Sequence, residues 1–436
     1  MRIGISSDSE GMTGVAVFRS GARASTRIRS STSFADQVDT LLHELKAICS
    51  KDGDAITSIT IDVSAALEPQ FTSPVTVVRI SPRPPLDTHR DATQAPGSGF
   101  ATEIIHAVGG HTILGEPLLP LDTEALERFA QQTPRGARYV VTGVGSLVNP
   151  AHELQAGRML LEHAEPESIE YAHRFSHGSI AIRERTALIN SSLREEASAM
   201  STSLGVVADR IFPRARLFVT TNDGGSAPIA SLADSPVHSL YAGRPAELIG
   251  AAAVCGVDTG GLIVAGPLGV FFGEIAESVP SVIPIHRDEA GLRVATQTAN
   301  LLPATDALLA RQRTAPTVVA HGGMEPPDLG VPVHQRSDLD LRAVGAACVP
   351  RTGWANRIVN VSNATEMQHA LTAARARVEA RLVASGSSPS DIRILESRVI
   401  ATAYQHPRVV SVRVRGVSSE SAESILPEAR GHGTHG

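Results

Sequence analysis

Lysine is almost missing from this chain. Of 39 basic residues in 436, only Lys46 and Lys51 are lysines and the rest are arginines. The positive charges form no block and the net charge is −6, so no nucleic-acid partner is expected, since a polyanion needs a basic stripe to bind. Cysteine is scarce too. Cys49, Cys255 and Cys348 lie far apart and form no ligand-spaced pair, which excludes a disulfide framework and a Cys-based zinc site. They read as small apolar residues of a reducing compartment. No apolar run reaches the roughly 20 residues that a bilayer span needs. The longest, around 262–272, is interrupted by Gly and Pro. Arg2 leads straight into a polar loop, so no secretory leader is expected. A cytoplasmic protein with no membrane partner is the expectation. No Gly-x-Ser-x-Gly elbow occurs, so a serine nucleophile of that kind has no support.

What is present suits a globular α/β protein. Hydrophobic residues make up 42%, and the length allows two or three domains. Strands are expected at 2–6 and 15–18 around a Gly-containing turn, then at 56–63 and 75–80, with a buried strand at 139–146. Apolar spacing of 3.6 predicts helices at 34–49, 121–132, 150–163 and 180–204. Further on, strands are expected at 217–221 and 262–265, and helices at 246–254, 301–311 and 343–349. The last block reads as a helix over 364–384 and strands over 392–402 and 408–414. Loop chemistry fills 81–98, and the tail 418–436 is polar.

Several motifs, in order, resemble the A-type subunit of the hydantoinase/oxoprolinase family from Met1 to about Val417. They are Gly109-Gly-His-Thr-Ile-Leu-Gly115; Ser146-Leu-Val-Asn-Pro-Ala-His-Glu153; Ser176-His177 with Arg183-Glu-Arg-Thr186; Thr221-Asn-Asp-Gly224; and Gly243-Arg-Pro245 with Gly250-Ala-Ala252. The resemblance implies two ribonuclease-H-like (actin-like ATPase) domains around a cleft, over 1–175 and 176–350. A C-terminal α/β extension over 351–417 and a tail over 418–436 complete that expectation. It also implies hydrolysis of cyclic amides such as hydantoins or 5-oxoproline, a small-molecule substrate, and a B-type partner subunit.

The departures bear on the cofactor. Family members hold ATP and magnesium between two hairpins, each with a strand-end Asp followed by glycines and threonines. Here Ser6 replaces the first Asp, and Asp8 and Ser9 replace the glycines. The second hairpin reads Gly266-Pro-Leu-Gly-Val-Phe-Phe-Gly273, with Phe271 and Phe272 where hydroxyls would stand. The third-strand Gly-Thr-Thr stretch has become Asp62-Val-Ser-Ala-Ala66, and the late glycine turn survives as His321-Gly-Gly323. A triphosphate needs N–H donors, hydroxyls and a carboxylate-held magnesium. An apolar turn supplies none of these, so ATP and magnesium are not expected to bind in the family manner, and hydrolysis of ATP is expected to be absent.

Candidate catalytic residues are His177, Arg183, Glu184 and His152. A half-buried His can move protons, and an Arg can hold a carboxylate bidentately. The alternatives are a hinge-fixing polar cluster for His177, Arg183 and Glu184, and a capped helix start at Asn149 for His152-Glu153. Asn222, Asp223, Gly224 and Gly225, directly after a buried strand, are the candidate cofactor-binding turn by the strand-end rule. An ordinary Asx turn is the other reading. His111 could join His152 or His177 at a metal, but no zinc-ligand spacing appears, so no metal site is expected. His432 and His435 in the tail read as solvated.

Overall fold

The computed structural model describes residues 1–8, 11–18, 23–29, 32–49, 55–69, 75–84, 103–287, 293–304, 316–326, 332–336, 339–401 and 406–418. Most of the expected loop at 81–98 and the tail beyond Ser418, with His432 and His435, lie outside them.

The chain opens with an antiparallel meander, β1 (Arg2–Asp8), β2 (Gly11–Val17) and β3 (Arg23–Ile28), in register from Arg2↔Val17 to Asp8↔Gly11. Helix α1 (Phe34–Cys49) begins and ends where its spacing predicts, burying Val38, Leu41, Leu42 and Leu45. Strand β4 (Ser58–Ile61) then runs parallel to β1.

Before the first sheet is complete, the chain leaves it to build another. This comprises β5 (Val75–Ser81), β6 (Ile104–Val108), α2 (Thr123–Gln132), β7 (Arg138–Gly143), α3 (Ala151–His163) and β8 (Ser168–Tyr171). All four strands are parallel, in the order β6-β5-β7-β8, and the Val- and Ile-rich runs of β5 and β7 suit burial on both faces. The long helix α4 (Ile180–Ile211) returns the chain to the first sheet, which β9 (Arg216–Thr220) and β10 (Ser226–Pro228) complete in the order β10-β9-β4-β1-β2-β3. Residues beyond 175 thus contribute to the first sheet, and the change of sheet falls after β10 rather than at Ser176.

Short helix α5 (Ala230–Asp234) and helix α6 (Gly243–Cys255) follow. A further sheet repeats the plan of the first: β11 (Gly260–Gly266) and β12 (Gly269–Ala276) form a hairpin, edged by β13 (Val279–Pro280). Two short pairs come next, β14 (Val282–Ile283) with β17 (Thr298–Ala299) and β15 (His286–Arg287) with β16 (Arg293–Val294). Strand β18 (Leu301–Pro303) pairs with β12, while β19 (Thr317–Ala320) and β20 (Val333–Gln335) continue from β11 in parallel. A helix was expected over 301–311; Leu301–Pro303 is instead a strand, and Pro303 at its end lacks the N–H that a ladder would use. Residues 305–315 lie outside the described set.

Helix α7 (Leu341–Cys348) precedes the C-terminal unit of β21 (Thr352–Asn360), α8 (Ala364–Ala384), β22 (Ile392–Ala401) and β23 (Val409–Ser418), an antiparallel sheet ordered β21-β23-β22. Helix α8 turns Ala374, Val378 and Leu382 onto it. No helix among the described residues is long and apolar enough to cross a membrane.

Helices α6 and α7 join the two repeated sheets. Helix α7 packs on β1 and β2, α6 packs on β11, and the two helices press on each other. Small residues make this possible: a Cβ on Gly250 would overlap the Leu341 carbonyl, and one on Gly345 would overlap the Ala246 carbonyl. With backbone on both sides there is nowhere to move. Gly345→Ala is expected to lower stability by about 3 kcal/mol, the upper end for overpacking a core, read as a lower urea midpoint by fluorescence of the lone tryptophan, Trp354.

Candidate functional site

Two polar regions lie at strand ends. The first sits at the carboxyl end of the parallel β5–β8 sheet, where an α/β protein places ligands. Arg183, on the first turn of α4, is buried and donates to the carbonyls of His177 (2.9 Å) and Gly143 (3.2 Å) and to Ser146 Oγ (3.3 Å). Glu153, on the first turn of α3, accepts from the Gly143 N–H (2.7 Å) and from His173 Nδ1 (2.6 Å). Gly143 therefore ties Arg183 and Glu153 to the end of one strand. Glu184 is clamped bidentately by Arg79 of β5, at 2.8 and 2.6 Å.

The histidines here are poised as donors. His177 Nδ1 accepts the Ser179 N–H (3.1 Å) and His152 Nδ1 accepts the Gly110 N–H (2.9 Å), which places the proton of each neutral ring on Nε2. Burial lowers the pKa of His177, of His152 and of His111, whose ring lies tilted with its centroid 4.2 Å from that of His152; His152 lowers His111 further. Asn149 Oδ1 accepts from the Ala151 N–H (3.1 Å) in an Asx turn that leads into α3, whose N-cap position is Pro150. The structure thus brings His177 and Arg183 together, holds Glu184 on Arg79, and sets His152 beside His111.

The Asn222–Gly225 turn is saturated by its own fold. Asn222 donates to the Val237 carbonyl (2.9 Å) and accepts from the Tyr241 N–H (2.9 Å). Asp223 Oδ1 accepts from Thr221 Oγ1 (2.6 Å), and Oδ2 accepts from Trp354 Nε1 (2.6 Å). Arg415 reaches the Asp223 carbonyl (3.1 Å), while Arg413 and Arg415 lie over the Trp354 ring at 5.2 and 5.1 Å. Gly225 packs against Thr352, so the turn fastens the C-terminal unit to the first sheet.

The second region lies where the two repeated sheets meet. Ser6, fully buried at its strand, donates to Asp340 Oδ2 (2.9 Å), and Asp340 caps α7 through the N–H groups of Arg342 and Ala343. Asp8 caps the β1–β2 turn at the Gly11 N–H (3.0 Å) and pairs with Arg27 (2.9 Å); Arg342 reaches Asp8 (3.5 Å) and the Ser7 carbonyl (2.9 Å). On the other side, His321 hydrogen-bonds Glu247 of α6, both buried, and this pair fills the volume that a side chain at Gly266 would take. Asp62, at the end of β4, accepts from Thr220 Oγ1 (3.2 Å) and the Ser64 N–H (3.0 Å).

Phe271 and Phe272 do not face this region. Adjacent on a strand, they point to opposite faces of β12, Phe271 toward Leu248 and Ala251 and Phe272 toward Ile263 and Val318. Pro267 and Leu268 alone form the tip of the hairpin, between the paired Gly266 and Gly269. Glu247, His321, Asp340 and Arg342 were not singled out as site residues. The one available signal was Glu247, a lone carboxylate in the small-residue run from Gly243 to Cys255. Among the described residues, no three His, Cys, Asp or Glu side chains come together as a metal set.

No protein-family model and no curated protein matches the sequence. Solved structures do. A nucleotide-free structure of acetone carboxylase, from work on ATP-dependent acetone carboxylation, superposes with a TM-score of 0.70 at 10% identity, over 98% of this chain and 88% of that one. The ATP-dependent caprolactamase of Pseudomonas jessenii gives 0.65 at 12% identity, over 96% and 88%. The chain therefore shares the mixed α/β fold of these two structures.

Acidification is expected to weaken the fold. Burial lowers His111, His152 and His177, and takes His238 down to about 4. Their unfolded counterparts titrate near 6.5, so below about that pH the unfolded chain binds more protons and stability falls, for His238 until about pH 4. Urea midpoints at pH 7.5 and 5 check this, and His238→Gln lessens the fall. Asp223→Ala leaves Trp354 Nε1 without its acceptor and removes the carboxylate that lies 3.9 Å from buried Arg415. It is expected to cost about 3 kcal/mol, as for breaking a buried charge pair, with Trp354 emission shifting at lower urea.

Proposed function

We propose that this chain is a hydantoinase/oxoprolinase-like protein, the A-type subunit of a cyclic-amide hydrolase system, whose nucleotide site is no longer built for magnesium ATP. The repeated strand plan of the two larger sheets supports a pair of ribonuclease-H-like, actin-like domains with the cleft between them. The observation that carries the loss of ATP chemistry is at Gly266. The place of a strand-end acid is filled there by the Glu247–His321 pair, and the adjoining tip is Pro267, which has no N–H, and Leu268.

The first hairpin supports the same reading. Ser6 offers a neutral hydroxyl already committed to Asp340, and Asp8 is occupied by Arg27, Arg342 and its own turn. Ser6, Asp8, Asp340 and Arg342 are spent on one another, which supports the reading that magnesium ATP is not held here in the usual way.

In this reading His177 and Arg183 are the substrate-contacting groups at the strand end, Arg183 as anion holder and His177 as proton carrier. Glu184 and His152 support them through Arg79 and Gly110. The Asn222–Gly225 turn holds the C-terminal unit in place. A B-type partner subunit would complete the enzyme, with a small cyclic amide as substrate. A second reading, a non-catalytic scaffold or regulatory subunit, is favoured by the internal hydrogen bonds that occupy Arg183 and Glu184.

Titration calorimetry tests the nucleotide claim. ATP with magnesium is expected to give no saturable heat at millimolar concentration, and hydantoin is expected to elicit no ADP. Saturable binding with hydantoin-dependent ADP release would overturn it.

A further inference from the structure

At the amino end of the parallel β5–β8 sheet, opposite His177 and Arg183, lies an open groove of about 590 Å³. That volume is ordinary for a small-molecule site. One wall is a face of α4, on which Ser191, Arg194 and Ser198 recur three or four residues apart. The other wall is the start of two strands, where Arg138 opens β7 and Glu167 directly precedes β8.

Several groups that line this groove have no partner. The Arg194 guanidinium makes no hydrogen bond among the described residues. Its ion pair with Glu170 is loose, at 3.6 Å, and Glu170 is already held by Asn190 at 2.8 Å and Arg174 at 3.3 Å. The exposed carboxylates of Glu167 and Glu195 are likewise unpaired among the described residues. Ser191 is 1% exposed and its Oγ has no hydrogen-bond partner there, a cost that a polar ligand at the groove floor removes.

The charges select the occupant. A phosphate would meet two unpaired glutamates, and a metal cation would meet the guanidiniums of Arg138 and Arg194. A neutral polyol would leave Arg194, Glu167 and Glu195 without opposite charges. A molecule with a carboxylate at one end and an ammonium at the other answers both signs, and the planar fork of Arg194 suits the carboxylate.

We propose that this groove binds an open-chain, zwitterionic amino acid, its carboxylate on Arg194 and its ammonium at Glu167 and Glu195. The site stands on these side chains and not on the chemistry assigned to His177 and Arg183. The two meet in one molecule all the same. Hydrolysis of a lactam adds water across the C–N bond, leaving a carboxylate where the C=O was and an amine where the N–H was. Under the cyclic-amide reading above, the groove therefore takes the product, at the opposite end of the sheet from the substrate.

Calorimetry with 4-aminobutyrate and its isomer 2-aminobutyrate tests it, with butyrate, which has no ammonium, and butylamine, which has no carboxylate, as controls. At least one isomer is expected to bind saturably at millimolar concentration. Both controls are expected to bind about tenfold more weakly or worse, the loss for a hydrogen bond to a charged group. Arg194→Gln should weaken the better isomer by a similar factor, and so should Glu167→Gln combined with Glu195→Gln. Both glutamates are exposed, so the double variant decides the matter if Arg194→Gln fails to fold. Equal binding of the better isomer and butyrate overturns the proposal, as does no saturable binding of either isomer. Selective binding that the variants leave unaltered overturns this location. 2-Pyrrolidinone, the closed ring, is expected not to displace the bound isomer; displacement overturns a separate product site. No outcome depends on hydrolysis, so failure here leaves the cyclic-amide reading standing, and inactivity toward hydantoin leaves the groove.

Discussion

The close approach of α6 and α7 is the constraint on which the rest of the molecule depends. Each helix belongs to a different sheet, and they meet where neither has a side chain, at Gly250 and Gly345. Backbone against backbone leaves one distance and one rotation. That fixes where the α6 N-terminus lies relative to β4, and where Asp340, at the start of α7, lies relative to β1. Ser6 bonds to Asp340, and Asp62 lies beside Gly243, because this seam puts them there.

Helices bring carboxylates to the place where the two repeated sheets meet. Ser6 stands where the family resemblance implies an acid, yet Asp340 brings a carboxylate to it from the cap of α7. Gly266 stands at the second such place, and Glu247 fills the volume from α6. Both replacements come from helices, so they are held by helix geometry and not by a mobile turn. Each is also committed to a neighbour, Asp340 to its cap and Glu247 to His321.

Much of the fold was legible because periodicity is a local property. Helices α1 and α8 begin and end where apolar spacing placed them, and the β11–β12 hairpin announces itself by Gly266 and Gly269. The failures have a common physical cause. Glu247 and His321 are 74 residues apart, and Ser6 and Asp340 are 334 apart, so no local pattern connects them. Phe271 and Phe272 lie beside the turn in sequence, but neighbours on a strand part to opposite faces, and both reach core. Leu301–Pro303 carried apolar spacing that suited either a helix or a strand, and pairing with β12 decided it. His177 and Arg183 are candidates from their order in the chain, whereas the shared contact at Gly143 that joins Arg183 to Glu153 is visible only in three dimensions.

The parallel β5–β8 sheet interrupts the first sheet between Ile61 and Arg216, and this has a consequence for biogenesis. During synthesis, β1 to β4 leave the ribosome with one side of β4 unpaired, and that side waits until β9 emerges. A bare parallel edge of this kind invites wrong partners for as long as it waits. The inserted sheet is made of sequential parallel strands and can form in the interval, so its own maturation stands between the nascent edge and the strand that finally seals it. The order of translation makes the insertion a timer as well as a scaffold.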